Sequence, residues 1–340
     1  MPAELFRGIQ GTSHADEGTK MISIVIPLYN KASTIERTVA SVLAQTVSDW
    51  ELIVIDDGSS DNGPALVNRF DDPRIRLVTQ ANAGVSAARN HGVELAVSTV
   101  VAFVDADDYW DAEHLANLGQ LVNQFSGASI FSSAYFMVDE KGQIRKTCLS
   151  DKNKDSETMT MPNYFSDALR GDPPIHSSAV AVNKLAFSHV GGFPLGVKAG
   201  EDLITWARLA CVGDVAYSRR ATAYFVVPPI SVNRNRSVIR RPQKPDYVGN
   251  ELAGLSLQYN QYGASLRLYR GHWHRMRAVL FMELDERVDC LVELGKAIHI
   301  SGLRLRDVAN FGLLLFPAGA RAKLLSCWRQ RHVVSANTTQ

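Results

Sequence analysis

Two short, wholly apolar runs in this chain end directly in clustered acids: Val54-Ile55-Asp56-Asp57 and Phe103-Val104-Asp105-Ala106-Asp107-Asp108. A run that is apolar at every position, rather than at alternate ones, is the pattern of a parallel strand covered on both faces. The carboxyl ends of parallel strands share one edge of the sheet, and ligands bind there. Five carboxylates gathered at two such ends repel one another unless a cation or hydrogen-bond donors compensate. A helix cap or turn needs only one acid, so capping does not account for all five. A hard divalent ion such as Mg²⁺ or Mn²⁺, shared between one or two carboxylates and substrate phosphates, does.

The surrounding chain repeats the same alternation. Ile22 to Ile26 reads as a buried strand ended by Pro27, which removes a ladder donor. Leu52 to Ile55, Ile75 to Val78 and Val100 to Val104 read as three more. Between the first two, Ser33 and Glu36 have the spacing of a capping box, with Ile35, Val39, Val42 and Leu43 on one helical face. Gly84 to Ala96 reads as a loop leading into a helix, and Leu115, Leu118, Leu121, Val122 and Phe125 mark another. This alternation predicts an α/β fold: a doubly wound, mainly parallel sheet flanked by helices. Further on, Ile130 to Val138 suits a strand, and residues 140–163 suit a polar surface excursion. Residues 183–210 mix helix and loop, and the pattern beyond about 250 is helical. The expected organisation is a mobile leader over 1–20, a catalytic domain over 21–245 divided near 110, and a helical C-terminal extension over 246–340.

Composition excludes several classes. The 340 residues are 46% hydrophobic, enough for a sizeable core, and the formal net charge of +1 gives no case for nucleic-acid binding. No apolar run approaches the ~20 residues that span a bilayer. The N-terminus lacks the basic-then-apolar layout of a secretory signal. Cys148, Cys211, Cys290 and Cys327 form no CxxC pair, so neither a disulfide scaffold nor a structural zinc site is expected. A reducing cytoplasm fits this usage.

Two further features bear on chemistry. Glu201-Asp202 follows Gly200 and precedes Leu203, Trp206 and Leu209. This is either an acidic first helical turn favoured by the dipole or part of the same acid cluster. Residues 215–245 contain no acid but carry Arg219, Arg220, Arg234, Arg236, Arg240, Arg241 and Lys244. The part from Arg234 to Lys244, flanked by prolines, is either a solvated face or a loop able to close over phosphates.

Four segments taken in order resemble the successive signatures of family 2 glycosyltransferases with the GT-A fold. They are Ile24-Val25-Ile26-Pro27-Leu28-Tyr29-Asn30, Asp56-Asp57-Gly58-Ser59-Ser60-Asp61, Gly84-Val85-Ser86-Ala87-Ala88-Arg89-Asn90-His91-Gly92 and Val104-Asp105-Ala106-Asp107-Asp108. Each is weak alone, and their order over about ninety residues carries the resemblance. It is close from Ile22 to about Trp110, looser to about Tyr224, and then fades. The resemblance implies that Pro27, Tyr29 and Asn30 line a nucleotide pocket, that Asp57 accepts from the donor base, and that Asp56 supports it. It implies Arg89 near the diphosphate or sugar, Asp105 on the ribose, Asp107 on Mg²⁺ or Mn²⁺, and Asp108 beside the donor sugar or metal. Asp202, with Glu201 as the near alternative, would be the general base of an inverting transfer. The expected donor is a nucleotide-diphosphate sugar, UDP by resemblance only, and the acceptor a saccharide or lipid-linked saccharide. Arg234 and Arg236 would stabilise the leaving diphosphate. Many relatives carry a histidine after the base, and Val232-Asn233-Arg234-Asn235-Arg236-Ser237 has none, so a third metal or phosphate contact is unassigned.

Other readings remain at this point. A metal-dependent phosphatase or phosphotransferase also places acids after strands, though Asp107 here is followed by Asp108-Tyr109-Trp110 rather than Gly-Thr. A non-catalytic nucleotide-sugar-binding protein would keep the fold. From Arg267 onward, twelve Lys/Arg stand against six Asp/Glu. Phe311-Gly312-Leu313-Leu314-Leu315-Phe316-Pro317, followed by Arg321, Lys323, Arg329 and Arg331, suits either peripheral docking on the inner face of the plasma membrane or a helical subdomain packed on the domain or on a second subunit. His176 and His189, in the acceptor region, are expected to be surface or packed residues.

Overall fold

The computed structural model describes residues 21–149, 156–161, 163–227, 241–314 and 316. Strands β1 (Ile22–Leu28), β2 (Trp50–Asp56), β3 (Ile75–Thr79) and β4 (Val100–Phe103) lie in the spatial order β3-β2-β1-β4, all parallel. Helices α1 (Ile35–Leu43), α2 (Gly63–Val67) and α3 (Val85–Leu95) connect them. The right-handed crossovers of such units put the carboxyl ends of all four strands on one edge. Alternate residues of β1 serve two separate cores. Ile24, Ile26 and Leu28 pack with Val39 and Val42 of α1, whereas Val25 packs on the other face with Ala88 and Val93 of α3. Apolar residues at every position are therefore what this strand requires.

Next come β5 (Tyr109–Trp110), α4 (His114–Gln124), β6 (Ile130–Val138), β7 (Ile144–Lys146), β8 (Thr158–Met161), α5 (Tyr164–Asp167) and β9 (Val180–Asn183). They are followed by α6 (Lys184–His189), α7 (Glu201–Val212) and β10 (Val215–Val226). β9 runs antiparallel between β4 and β6, and β10 lies parallel to β6, completing the order β3-β2-β1-β4-β9-β6-β10-β5. β7 and β8, within the expected polar excursion, pair with the edges of β6 and β10. Helices α8 (Tyr247–Gln258), α9 (Gly263–Glu283), α10 (Arg287–Ser301) and α11 (Leu305–Leu314) end the described chain. Val248, Leu252, Leu255, Leu266 and Tyr269 of α8 and α9 join the core that also holds Trp206 and Leu209 of α7. A small separate cluster joins Phe281 and Met282 to Leu294 and Leu314.

Two local expectations are corrected, and one strand was not anticipated. Pro27 does not end β1: it pairs in register with Ile55, and the strand runs on to Leu28. β4 pairs only as far as Val25 opposite Phe103, so β1 has lost that neighbour by Pro27. Ser33 does not cap α1. Its N-cap is Thr34, without a side-chain cap bond, and the Thr34 and Ile35 amides both donate to the Lys31 carbonyl, at 3.0 Å each. The acid-free stretch also begins with a twelve-residue strand, β10. Its register with β6 shifts between Ser218 and Ala223, so Arg219 and Arg220 fall on a bulge that interrupts the strand pattern.

Candidate active site

The site forms where β1, β2 and β4 end. Asn30, just beyond β1, has a left-handed backbone (φ 52°) that short amide side chains tolerate. Its Oδ1 accepts from the Ser60 amide at 2.8 Å and the Asp61 amide at 3.3 Å, fixing the loop after β2. Tyr29 beside it is half exposed, and Pro27 occupies the last turn of β1. Asp56 and Asp57 are both buried. Asp56 Oδ1 accepts from the Ser59 amide at 2.9 Å. Asp57 Oδ1 accepts from Gln80 Nε2 (2.7 Å) and the Ala83 amide (2.8 Å), and its Oδ2 accepts from the Gly84 amide (2.8 Å). This carboxylate ties β2 to the loop that opens α3, a positioning task in addition to the role the resemblance implies.

The loop after β4 is held by the first turn of α1. Thr34 Oγ1 donates to the Ala106 carbonyl at 2.8 Å, and Thr38 Oγ1 donates to the Asp108 carbonyl at 2.6 Å. Its three acids have different fates. Asp105 Oδ1 accepts from Arg89 Nη2 at 2.6 Å. Burial opposes the Asp105 charge, but Arg89, His176 and Lys31 outweigh it and hold the carboxyl below the usual range. Asp107 faces outward, with 34% of its side chain exposed, and Oδ2 accepts from Lys31 Nζ at 2.5 Å. Asp108 turns inward, only 1% exposed: Oδ2 accepts from Ser178 Oγ at 2.5 Å and Oδ1 from the Val226 amide at 2.8 Å. Burial, then repulsion from Asp105 and Asp107, pushes its carboxyl well above the usual range. Through these two bonds Asp108 anchors the loop after β4 to β10 and to Ser178.

Arg89 is the hub. Its side chain is 4% exposed and lies over the Phe193 ring at 5.1 Å; Nη1 stands 3.6 Å from Glu201 Oε1. Burial works against its charge, but Asp105, then Glu201 and Asp202, raise it above the ordinary value. One guanidinium thus joins the acids after β4 to those opening α7. Burial and Asp202 raise the Glu201 carboxyl against the pull of Arg89. Asp202 Oδ1 accepts from the Leu203 amide at 2.8 Å, and among the described residues it forms no ion pair. Of the two acids, Glu201 lies beside the Arg89 guanidinium, and Asp202 caps its own helical turn through the Leu203 amide.

Two residues were not assigned to the site by sequence reasoning. Lys31 meets Asp107 across 76 positions, and nothing in its local sequence marks it. His176 stacks between Tyr135 (5.1 Å) and Phe225 (4.2 Å), and its Nδ1 accepts from the Ser178 amide at 3.1 Å. That bond leaves the ring proton on Nε2, and burial keeps the imidazole below its ordinary pKa despite Asp105 and Asp202. His176 is thus a packed residue, as expected, held between two aromatic rings. His189 closes α6. Arg234 and Arg236 lie outside the described residues, as do Arg321, Lys323, Arg329 and Arg331. No described helix is long and apolar enough to cross a membrane.

An α/β sheet with paired acids at its carboxyl edge sets the class, and known proteins share it over part of the chain. Residues 23–176, somewhat under half of the chain, match the family model described as "Glycosyl transferase family 2". It is 45% identical over 96 residues to the UDP-Glc:alpha-D-GlcNAc-diphosphoundecaprenol beta-1,3-glucosyltransferase WfgD of Escherichia coli, covering 28% of this chain and 38% of that protein. It is 29% identical over 200 residues to the putative teichuronic acid biosynthesis glycosyltransferase TuaG of Bacillus subtilis, covering 58% of this chain and 75% of that one. Among solved structures, S. aureus TarS 1-349 in complex with UDP-GlcNAc matches with TM-score 0.62 at 17% identity, over 88% of each chain. The mannosyltransferase PcManGT of Pyrobaculum calidifontis, in complex with GDP-Man and Mn²⁺, matches with TM-score 0.58 at 19% identity, over 98% of this chain and 89% of that one. At these identities the structural likeness establishes the shared GT-A fold.

Proposed function

We propose that this chain is an inverting glycosyltransferase that moves a sugar from a nucleotide-diphosphate donor to a hydroxyl of a saccharide or lipid-linked saccharide. The observation that carries the reading is the Arg89 bridge: one buried guanidinium holds Asp105 at the donor edge and Glu201 at the head of α7. The donor half and the carboxylates that could serve the acceptor are thereby fixed to one point. UDP is the proposed nucleotide, supported by the UDP-sugar in the names of WfgD and the TarS complex. The loop of Asn30, Asp56 and Asp57 would receive the base, and Asp105 the ribose.

Asp107, a half-exposed hard oxygen donor whose partner is a mobile lysine, fits a divalent ion shared with phosphates. Bound there, Mg²⁺ or Mn²⁺ would neutralise charge on the departing diphosphate. Asp202 would accept the proton of the attacking hydroxyl, while Arg89 keeps Glu201 from competing. Attack opposite the diphosphate inverts the anomeric centre and needs only one base. Catalysis at the cytoplasmic face of the membrane would suit a lipid-linked acceptor.

The test is a thermal-shift screen of UDP- and GDP-sugars with Mn²⁺, followed by transfer assays on Asp202→Asn. The variant is expected to bind donor as the parent does and to lose about 10²–10⁴-fold in transfer. Undiminished transfer would remove Asp202 as the base, and the absence of any nucleotide-sugar shift would remove the donor reading.

A further inference from the structure

The two cations that neutralise the acids after β4 are unlike each other. Arg89 on Asp105 is locked: its side chain is 4% exposed, stacked on Phe193 and shared with Glu201. Lys31 on Asp107 is loose: the two side chains are 42% and 34% exposed, and the ammonium is a single-point contact. The Lys31 main chain, by contrast, is anchored. Its carbonyl accepts the Thr34 and Ile35 amides that start α1, and the preceding Asn30 is pinned to the loop after β2. Only the flexible four-carbon side chain has to move for the ammonium to leave Asp107.

We propose that Lys31 is a built-in counter-cation of the diphosphate site, seated on Asp107 until a divalent ion displaces it. The inference rests on the donor-binding reading above. Exposed ion pairs of this kind hold only weakly, so displacement lowers metal affinity by no more than about fivefold. Without metal, an unscreened Asp107 would repel a nucleoside diphosphate. The ammonium beside it cancels that charge and supplies up to three donors to phosphate oxygens. Lys31 and the metal ion therefore do the same electrostatic task at the same carboxylate and exclude each other. By linkage, each makes the other less necessary for nucleotide binding.

Calorimetric titration of the full chain with UDP, and in parallel with GDP, tests this in EDTA and in saturating Mn²⁺. Lys31→Gln is expected to lose about tenfold or more in metal-free affinity and less than about twofold in Mn²⁺. Lys31→Arg should retain most of the metal-free affinity. Circular dichroism checks that both variants fold, as an exposed position predicts. An equal change for Lys31→Gln in both conditions, or none in either, overturns the proposal. If the parent chain binds neither nucleotide even with Mn²⁺, it is the donor-binding reading that fails.

Discussion

Replacing Arg89 by methionine removes the one charge on which both halves of the site converge. Methionine keeps the unbranched length and its sulfur can lie against Phe193, so the substitution deletes charge more than volume. Asp105 and Glu201, with side chains 28% and 14% exposed, would then face each other without their cation. Breaking a buried pair from one side costs roughly 3–5 kcal/mol, and the partial exposure of Asp105 argues for about 3. Removing both partners should cost less, so Arg89→Met/Asp105→Asn is expected to recover about 1 kcal/mol or more relative to the sum of the single variants.

The dependence on pH has a definite sign. The lowered Asp105 carboxyl contributes stability that is present above its unfolded pKa and is lost as pH falls through its lower folded value. Arg89→Met forfeits that contribution and instead relaxes when Asp105 and Glu201 take up protons, so its deficit should shrink as pH falls toward 4. Urea denaturation from pH 4 to 8 measures both effects. A deficit for Arg89→Met within about 0.5 kcal/mol of zero, or strictly additive double-variant costs, would refute the bridge.

Two other outcomes are expected. Asp107→Ala should abolish the Mn²⁺ dependence of UDP affinity in the same titrations, and an unaltered metal effect would place the ion elsewhere. Gly92→Ala should destabilise the fold by about 1–3 kcal/mol despite the better helix propensity of alanine, because its Cβ would meet Val25 Cγ1 at 2.4 Å and Cγ2 at 2.9 Å where α3 crosses β1. Thermal denaturation reads this directly, and a melting point equal to the parent's would mean that the strand yields.

The parallel half of the sheet was legible because β1, β2 and β4 carry nearly continuous apolar runs and acids begin where β2 and β4 end; Asp56, Asp57, Asp105 and Asp107 are brought to one edge by that rule. β10 was not, since Arg219 and Arg220 sit on a bulge in the middle of it. The capping-box spacing of Ser33 and Glu36 misled because a backbone turn through the Lys31 carbonyl satisfies the same amides. Side-chain direction was beyond reach: nothing in Asp105-Ala106-Asp107-Asp108 says that the last acid turns inward to Ser178 while its neighbour faces outward. Lys31 escaped for a related reason, as its partner Asp107 lies 76 positions away and only the fold unites them.

The start of α7 carries one more consequence. Gly200, with φ at +83°, lets two helices approach closely: a Cβ there would lie 2.8 Å from Val248 Cγ2 and 3.2 Å from the Trp273 ring. Helices remote in sequence from the nucleotide edge thus form the doorframe against which the Asp202 turn is set. Exchanging α8 and α9 for another protein's helices would leave the carboxyl edge of the sheet intact yet shift the turn that carries Glu201 and Asp202, unless the newcomers met the bare Gly200 backbone as closely.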